Sequence, residues 1–283
     1  MLFGLLCFLS ALSTATICLL TKAFYSYTWM WLVPAAYVGS FLVLVLLAFG
    51  LLLLGLEFID TEKEREKDSP KFRKLILNYI DLILTLIPVS VKTVGMEKLP
   101  QEGRYLLVCN HLHEIDPAII LHCTAKQPTA FVAKQETKDM FLLKKVMPKL
   151  LCPFINRNND REALKTILRA IKLLKDDVVS VGIFPEGGIN AYRKLAHFRP
   201  GVFKIAQKAN VPIVVCTMQN TNLVLKNLPK LKHTDIHFHV LDVIPVEEVQ
   251  SVTTVELAER TYAMMADDLG PDRVLTPEEE ENT

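Results

Sequence analysis

The first 56 residues constrain the fold more than any other stretch. Met1–Thr21 and Ala23–Leu56 carry no charged side chain, and Lys22 alone divides them. A helix crossing a bilayer's hydrocarbon core needs about 20 apolar residues, and both segments are long enough. Trp29–Leu56, rich in Leu, Val and Phe, is the stronger span; Ser10, Ser13, Thr14 and Thr16 dilute the first. Tyr25, Tyr27, Trp29 and Trp31 lie at the start of the second, where amphipathic rings favour the lipid–water boundary. A cleaved secretory signal opens with a basic segment, which Met1–Leu20 lacks. Residues 1–56 are therefore expected to form a membrane-anchoring helical hairpin. Lys63, Arg65, Lys67, Lys71, Arg73 and Lys74 follow it, against Lys22 alone in the connecting turn. The positive-inside bias then places the remaining chain on the cytoplasmic face of a cell or internal membrane. Two helices buried in one leaflet would satisfy the same hydropathy.

Behind the hairpin, residues 57–90 read as a charged linker and an interfacial helix. Glu57–Lys74 alternates acids and bases, and Leu75–Val91 is apolar but broken by Asn78, Asp81 and Pro88. From residue 91 the hydrophobic period changes. Arg104–Cys109, Ala130–Ala133, Val178–Phe184, Pro212–Met218 and Ile236–Ile244 read as strands. Pro117–Ala125, Lys138–Val146, Asp160–Lys175, Gly201–Asn210 and Val255–Leu269 read as helices. In the third of these, Leu164, Ile167, Leu168, Ile171 and Leu174 share one face, and Asn159 stands as N-cap with Glu162 three residues on. Strands alternating with helices predict an α/β domain over 91–270, its mixed, largely parallel sheet flanked by helices. Residues 271–283, with four consecutive glutamates, are expected to be a disordered acidic tail.

Cys7, Cys18, Cys109, Cys123, Cys152 and Cys216 form no C-x-x-C pair and sit in apolar runs, as small reduced hydrophobes do. A formal net charge of +1 lacks the basic excess of a nucleic-acid binder.

In an open α/β sheet, ligands gather outside the carboxyl ends of the strands. Two unusual turns fall there: Asn110-His111-Leu112-His113-Glu114-Ile115-Asp116, and Phe184-Pro185-Glu186-Gly187-Gly188. A His titrates near neutral pH and accepts a hydroxyl proton, and a carboxylate on its second nitrogen fixes tautomer and orientation. Asp116 takes that role if residues 112–115 curl back. Alternatively, an Asp directly before Pro117 is a helix N-cap, a role its two oxygens can combine with holding His111. Pro185–Gly188 can equally be a plain turn. His111, His113, His233, His237 and His239 offer imidazoles to a metal, but neither a Cys ligand pattern nor an H-E-x-x-H helix accompanies them, and no metal site is expected.

N-H-x4-D followed by F-P-E-G resembles the glycerolipid acyltransferase family, which includes the lysophosphatidic acid acyltransferases. The resemblance runs in order from Val91 to Thr217. Val94–Pro100 resembles the opening of that domain, Phe131-Val132-Ala133-Lys134 its strand ending in Lys, and Phe154-Ile155-Asn156-Arg157 its second block. Phe198-Arg199-Pro200-Gly201-Val202-Phe203 and Val211-Pro212-Ile213 match the stretch after F-P-E-G.

The resemblance implies a membrane-bound O-acyltransferase of phospholipid biosynthesis. His111 acts as general base on the hydroxyl of a lysophospholipid, chiefly 1-acylglycerol 3-phosphate, and Asp116 holds it. Acyl-CoA or acyl carrier protein donates the chain, and no cofactor is required. Glu186, Gly187 and Gly188 shape the acceptor pocket, and Arg157 and Lys134 face an anionic head group. The partners implied are membrane lipids, the lysophospholipid and the acyl donor.

The chain departs from the family pattern in two places. Gly188-Ile189 stands where Thr-Arg is common, and His113 where Ser is common. Arg193, Lys194 and Arg199 are candidates to replace the missing Arg. The departures keep three alternatives open: a different lysolipid acceptor, a transacylase drawing on another phospholipid, and an inactive binding protein of the same fold.

Overall fold

The computed structural model describes residues 1–22, 27, 29–60 and 65–281. Tyr25 and Lys63, invoked above for the aromatic boundary and the basic flank, lie outside them. Two long helices come first, α1 (Leu2–Leu20) and α2 (Trp29–Glu57). Both are long and apolar enough to cross a membrane. At 1.5 Å per residue they span about 28 and 43 Å. They meet through small polar side chains: Ser10 Oγ donates to the Tyr37 carbonyl at 2.8 Å and lies 2.8 Å from Ser40 Oγ. Small residues let two backbones approach, and the hydroxyls find partners between the helices.

The expected interfacial helix is α3, spanning Pro70–Leu86. Its buried stripe of Phe72, Ile76, Tyr79 and Leu82 repeats at helical spacing. Tyr79 Oη donates to the Ala48 carbonyl of α2 at 2.7 Å. At its other end, buried Arg73 pairs with Asp68 at 2.9 Å and donates to the Thr129 and Leu150 carbonyls at 2.7 and 3.3 Å. This helix thus joins the hairpin to the domain behind it. Burying Arg73 is tolerable because its charge is paired and its donors are used.

The domain follows as β1 (Val89–Val94), β2 (Leu106–Cys109), α4 (Asp116–Cys123), β3 (Thr129–Phe131), β4 (Ala133–Lys134), α5 (Phe141–Val146) and β5 (Phe154–Ile155). Then come α6 (Asp160–Lys175), β6 (Ser180–Ile183), α7 (Lys204–Ala209), β7 (Ile213–Gln219), α8 (Thr221–Asn227) and β8 (Thr234–Ile244). Three helices end the chain: α9 (Val246–Ser251), α10 (Thr254–Leu269) and α11 (Pro277–Glu281).

Six strands form one sheet in the order β1-β8-β7-β2-β6-β3, and β4 pairs β5 in a small second sheet. Every pair is parallel except β7–β8. The expected mixed, largely parallel sheet flanked by helices is what forms. Strands β2, β6 and β7 are buried along their whole length, which explains why they read as continuous apolar runs rather than alternating ones.

Three features differ from the sequence reading. The sheet begins at Val89, inside the stretch assigned to the linker, because β1 pairs with β8 145 residues later. In α6, Thr166, Ala170, Leu173 and Leu174 are buried, whereas Leu164 and Leu168 point outward. Periodicity identified an apolar face but not which face the sheet would take. The N-cap holds: Asn159 accepts from the amides of Arg161 and Glu162. Finally, the tail expected to be disordered contains α11. Thr276 and Glu279 exchange backbone–side-chain hydrogen bonds at its start, and Lys194 donates to Glu279 at 2.8 Å. T-P-E-E is a capping-box pattern, and the glutamates suit the positive end of a short helix.

Candidate active site

His111 and Glu186 follow β2 and β6, which are adjacent and parallel. Neighbouring strands lie about 4.8 Å apart, so residues just beyond their aligned carboxyl ends must meet. They do: Glu186 Oε1 accepts the His111 backbone N–H at 2.7 Å, and Oε2 accepts that of Ala196 at 3.0 Å. On the other flank, Asn110 reaches β7, where its Oδ1 accepts the Met218 N–H at 2.7 Å and its Nδ2 donates to the Met218 carbonyl at 3.0 Å. The loop carrying His111 is therefore held from both sides.

The loop also curls back as the His–Asp pair requires. Asp116 Oδ2 lies 2.9 Å from His111 Nδ1 and accepts the Leu112 and His113 amides at 2.7 and 2.9 Å. The Asp116 side chain is fully buried and the His111 ring is 16% exposed. Asp116 does not cap α4. It is the helix's first residue, Ile115 occupies the N-cap without a side-chain bond, and the carboxylate turns back into the preceding loop. Asp116 Oδ1 has no partner among the described residues. His111 Nε2 has none either, which leaves that nitrogen available to a ligand.

An aromatic stack supports the imidazole. Phe184 lies parallel to His111 with ring centroids 3.9 Å apart, and Phe131 stacks behind Phe184 at 5.7 Å. Gly182 makes room for this: a Cβ there would fall 2.3 Å from the Phe131 ring. The sequence reading gave Phe184 no role, and its position inside F-P-E-G was the only signal for one.

The expected head-group residues converge on the Gly187–Gly188 turn. A Cβ on Gly188 would lie 3.2 Å from Lys134 Nζ and 3.9 Å from an Arg157 guanidinium nitrogen. Gly187 adopts φ +86°, and a Cβ there would fall 2.6 Å from Arg199 Nε. Of the three candidates to replace the missing Arg, Arg199 is the one at this turn. Arg193 donates to the Leu112 carbonyl at 2.7 Å and Lys194 is held by Glu279. Arg157 has its pKa lowered by desolvation and then by the charge of Arg199, against the opposite pull of Glu136. Among the described residues, none of Lys134, Arg157 and Arg199 forms a salt bridge. Three cations gathered at one turn suit a dianionic ligand.

Glu186 also has a structural part. Both its oxygens are engaged by backbone amides, so it braces the His111 loop. Burial pushes its carboxyl up to about 8, against the pull of those two N–H donors, and the charge of Asp116 adds to the rise. His113 turns into its own loop, where its Nδ1 accepts the Ile115 amide at 3.3 Å. His239 of β8 pairs with Asp268 of α10 at 3.0 Å. No cluster of three or more His, Cys, Asp or Glu arranged for a metal occurs among the described residues.

The sequence and fold of the chain match known proteins. The acyltransferase family model covers residues 90–219, which include all seven expected site residues. The chain is 32% identical over 184 residues to the probable 1-acyl-sn-glycerol-3-phosphate acyltransferase of Mycoplasma pneumoniae, spanning 62% of this chain and 68% of that one. It is 28% identical over 175 residues to the 1-acyl-sn-glycerol-3-phosphate acyltransferase of Borreliella burgdorferi, spanning 60% and 69% respectively. The fold resembles the crystal structure of the 1-acyl-sn-glycerophosphate (LPA) acyltransferase, PlsC, from Thermotoga maritima. That match has a TM-score of 0.54 at 23% identity and covers 76% of this chain and 87% of that one. With nearly one residue in three shared along two thirds of the Mycoplasma protein, and the family model matched across the whole site, the chain belongs to the acyltransferase family.

Proposed function

We propose that the chain transfers a fatty acyl group from a thioester, acyl-CoA or acyl carrier protein, to the free hydroxyl of 1-acylglycerol 3-phosphate in phospholipid biosynthesis. The observation that carries this reading is the His111 ring held by Asp116 through Nδ1, with Nε2 free, beside the Lys134–Arg157–Arg199 cluster. The names of the Mycoplasma and Borreliella relatives support the acceptor. The cluster supports it too, because guanidinium groups donate to phosphate oxygens in pairs.

In this mechanism the acceptor phosphate lies against Lys134, Arg157 and Arg199. His111 Nε2 takes the hydroxyl proton as the oxygen bonds to the thioester carbonyl carbon. The C–S bond then breaks, and the imidazolium returns its proton to the departing thiolate. Asp116 stabilises the charged ring, and its geometry fixes the tautomer that leaves Nε2 as acceptor. Glu186 acts as a positioning residue on the His111 backbone, and no cofactor enters. The α1–α2 hairpin holds the domain at a membrane, with the site on the cytoplasmic face, where lysolipid is supplied from the bilayer.

The test uses full-length protein in vesicles with labelled acyl-CoA or acyl carrier protein and a panel of lysolipids. Acyl transfer to 1-acylglycerol 3-phosphate is expected, and His111→Ala should lower it by about 100-fold or more. Near-normal transfer by a folded His111→Ala protein would overturn the assignment of the base. Transfer from added phospholipid without either thioester would favour a transacylase.

A further inference from the structure

Two apolar surfaces of the domain face outward close to the foot of the hairpin. At the start of α5, Met140, Phe141 and Leu142 are 51, 59 and 43% exposed. On α6, Leu164 and Leu168 are 57 and 55% exposed, on the side opposite the buried Thr166, Ala170 and Leu173. A single exposed leucine is ordinary, but a contiguous apolar group on a folded domain marks a contact surface.

Charge and position identify the partner. Residues 135–150 hold four lysines against Glu136 and Asp139, and α6 holds five cations against Asp160 and Glu162. Lys138 and Lys144 flank the first surface, Arg161 and Lys165 the second, and all four are exposed. The first surface adjoins the end of α2, and the second lies beside Arg65, further along the chain. Lys145 of α5 pairs with Glu57, the last residue of α2, at 3.1 Å. Arg169 of α6 donates to the Arg65 carbonyl, in the segment leaving α2, at 2.6 Å.

We propose that Met140–Leu142 and the Leu164/Leu168 stripe insert into the head-group boundary of an anionic membrane, the one that holds the α1–α2 hairpin. The proposal rests on the hairpin's being in that membrane. Apolar side chains ringed by Lys and Arg have the composition of segments that lie in the interface, and anionic lipid attracts the cations. The consequence concerns the site. The α5 surface lies on the excursion between Lys134 and Arg157, so its insertion sets both cations at the level of the lipid phosphates. An acceptor bearing a phosphate could then reach them without leaving the bilayer.

Tryptophan fluorescence of full-length protein in vesicles tests this. In a Trp29→Phe/Trp31→Phe background, one tryptophan is placed by Phe141→Trp, Leu168→Trp or Val255→Trp, the last on an exposed position of α10. The vesicles contain phosphatidylcholine and phosphatidylglycerol with chains brominated near the ester. Quenching at positions 141 and 168 is expected to exceed that at 255 severalfold, and to fall when phosphatidylglycerol is left out. Quenching at 141 and 168 no greater than at 255 would overturn the proposal. The parent protein's Trp29 and Trp31 report the hairpin separately: if they escape quenching, the anchor reading fails, while positions 141 and 168 still decide this one.

Discussion

At Asp116 one oxygen collects three donors, and two of them are backbone amides of the loop that carries His111. The carboxylate therefore shapes the loop as well as orienting the ring. Glu186 complements it from β6. Its pKa near 8 has a consequence for stability. Between the ordinary carboxylate range and about pH 8, the folded protein holds a proton there that the unfolded chain has lost. Stability should then fall as pH rises through that window and level off above it. Glu186→Gln should remove this slope, as measured by denaturant unfolding at several pH values. Gln keeps one accepting oxygen, and its amide nitrogen, a donor, cannot accept the second of the His111 and Ala196 N–H groups, so the change should also cost about 1–3 kcal/mol. Arg199→Ala should raise the KM for a phosphate-bearing acceptor by about tenfold or more, since a charged hydrogen bond contributes about 1.5–3 kcal/mol. A fall in kcat at unchanged KM would refute a head-group role for Arg199.

Among the elements, β6 matters most. Its Gly182 admits the Phe131 ring, Phe131 backs Phe184, and Phe184 backs His111. Gly182→Ala should force Phe131 out of place at a cost of about 1–3 kcal/mol. It should also lower kcat more than it raises the acceptor KM, because the stack contacts the imidazole and not the cationic cluster. Steady-state kinetics beside a melting curve checks both parts. The N-cap of α6, the strands β2, β3, β6, β7 and β8, and several helices were legible because capping and periodicity are local. The outward turn of Leu164 and Leu168 was not legible, because a helix with two apolar stripes leaves the choice to its neighbours.

The whole molecule places its last residues beside its site. Leu195 of the loop after Gly188 exchanges backbone hydrogen bonds with Arg273 and Leu275, and Lys194 binds Glu279. Truncation after Thr276 removes the Lys194 contact and leaves the backbone bridge. Exposed or half-exposed ion pairs contribute about 0–1 kcal/mol, so global stability should change little. Hydrogen exchange across residues 190–199 should nevertheless quicken. Unchanged exchange there would mean that the backbone bridge alone holds the loop. The hairpin, α3 and the sheet form a second chain of contacts, through Tyr79 to Ala48 and Arg73 to Thr129, that ties the apolar helices to the domain carrying the site.

By itself the sequence determined the two apolar helices, the alternation of strands and helices, and the placing of His111, Asp116 and Glu186 beyond strand ends. These follow from hydrophobic period, turn residues and short-range spacing, all of which are local. Tertiary structure decided the rest. It chose Arg199 over Arg193 and Lys194 beside Gly187, set both Glu186 oxygens on backbone amides, drew β1 into the sheet and ordered part of the acidic tail. Each depends on which strand lies beside which, and strand pairing across up to 145 residues is settled by packing rather than by neighbouring residues in the chain.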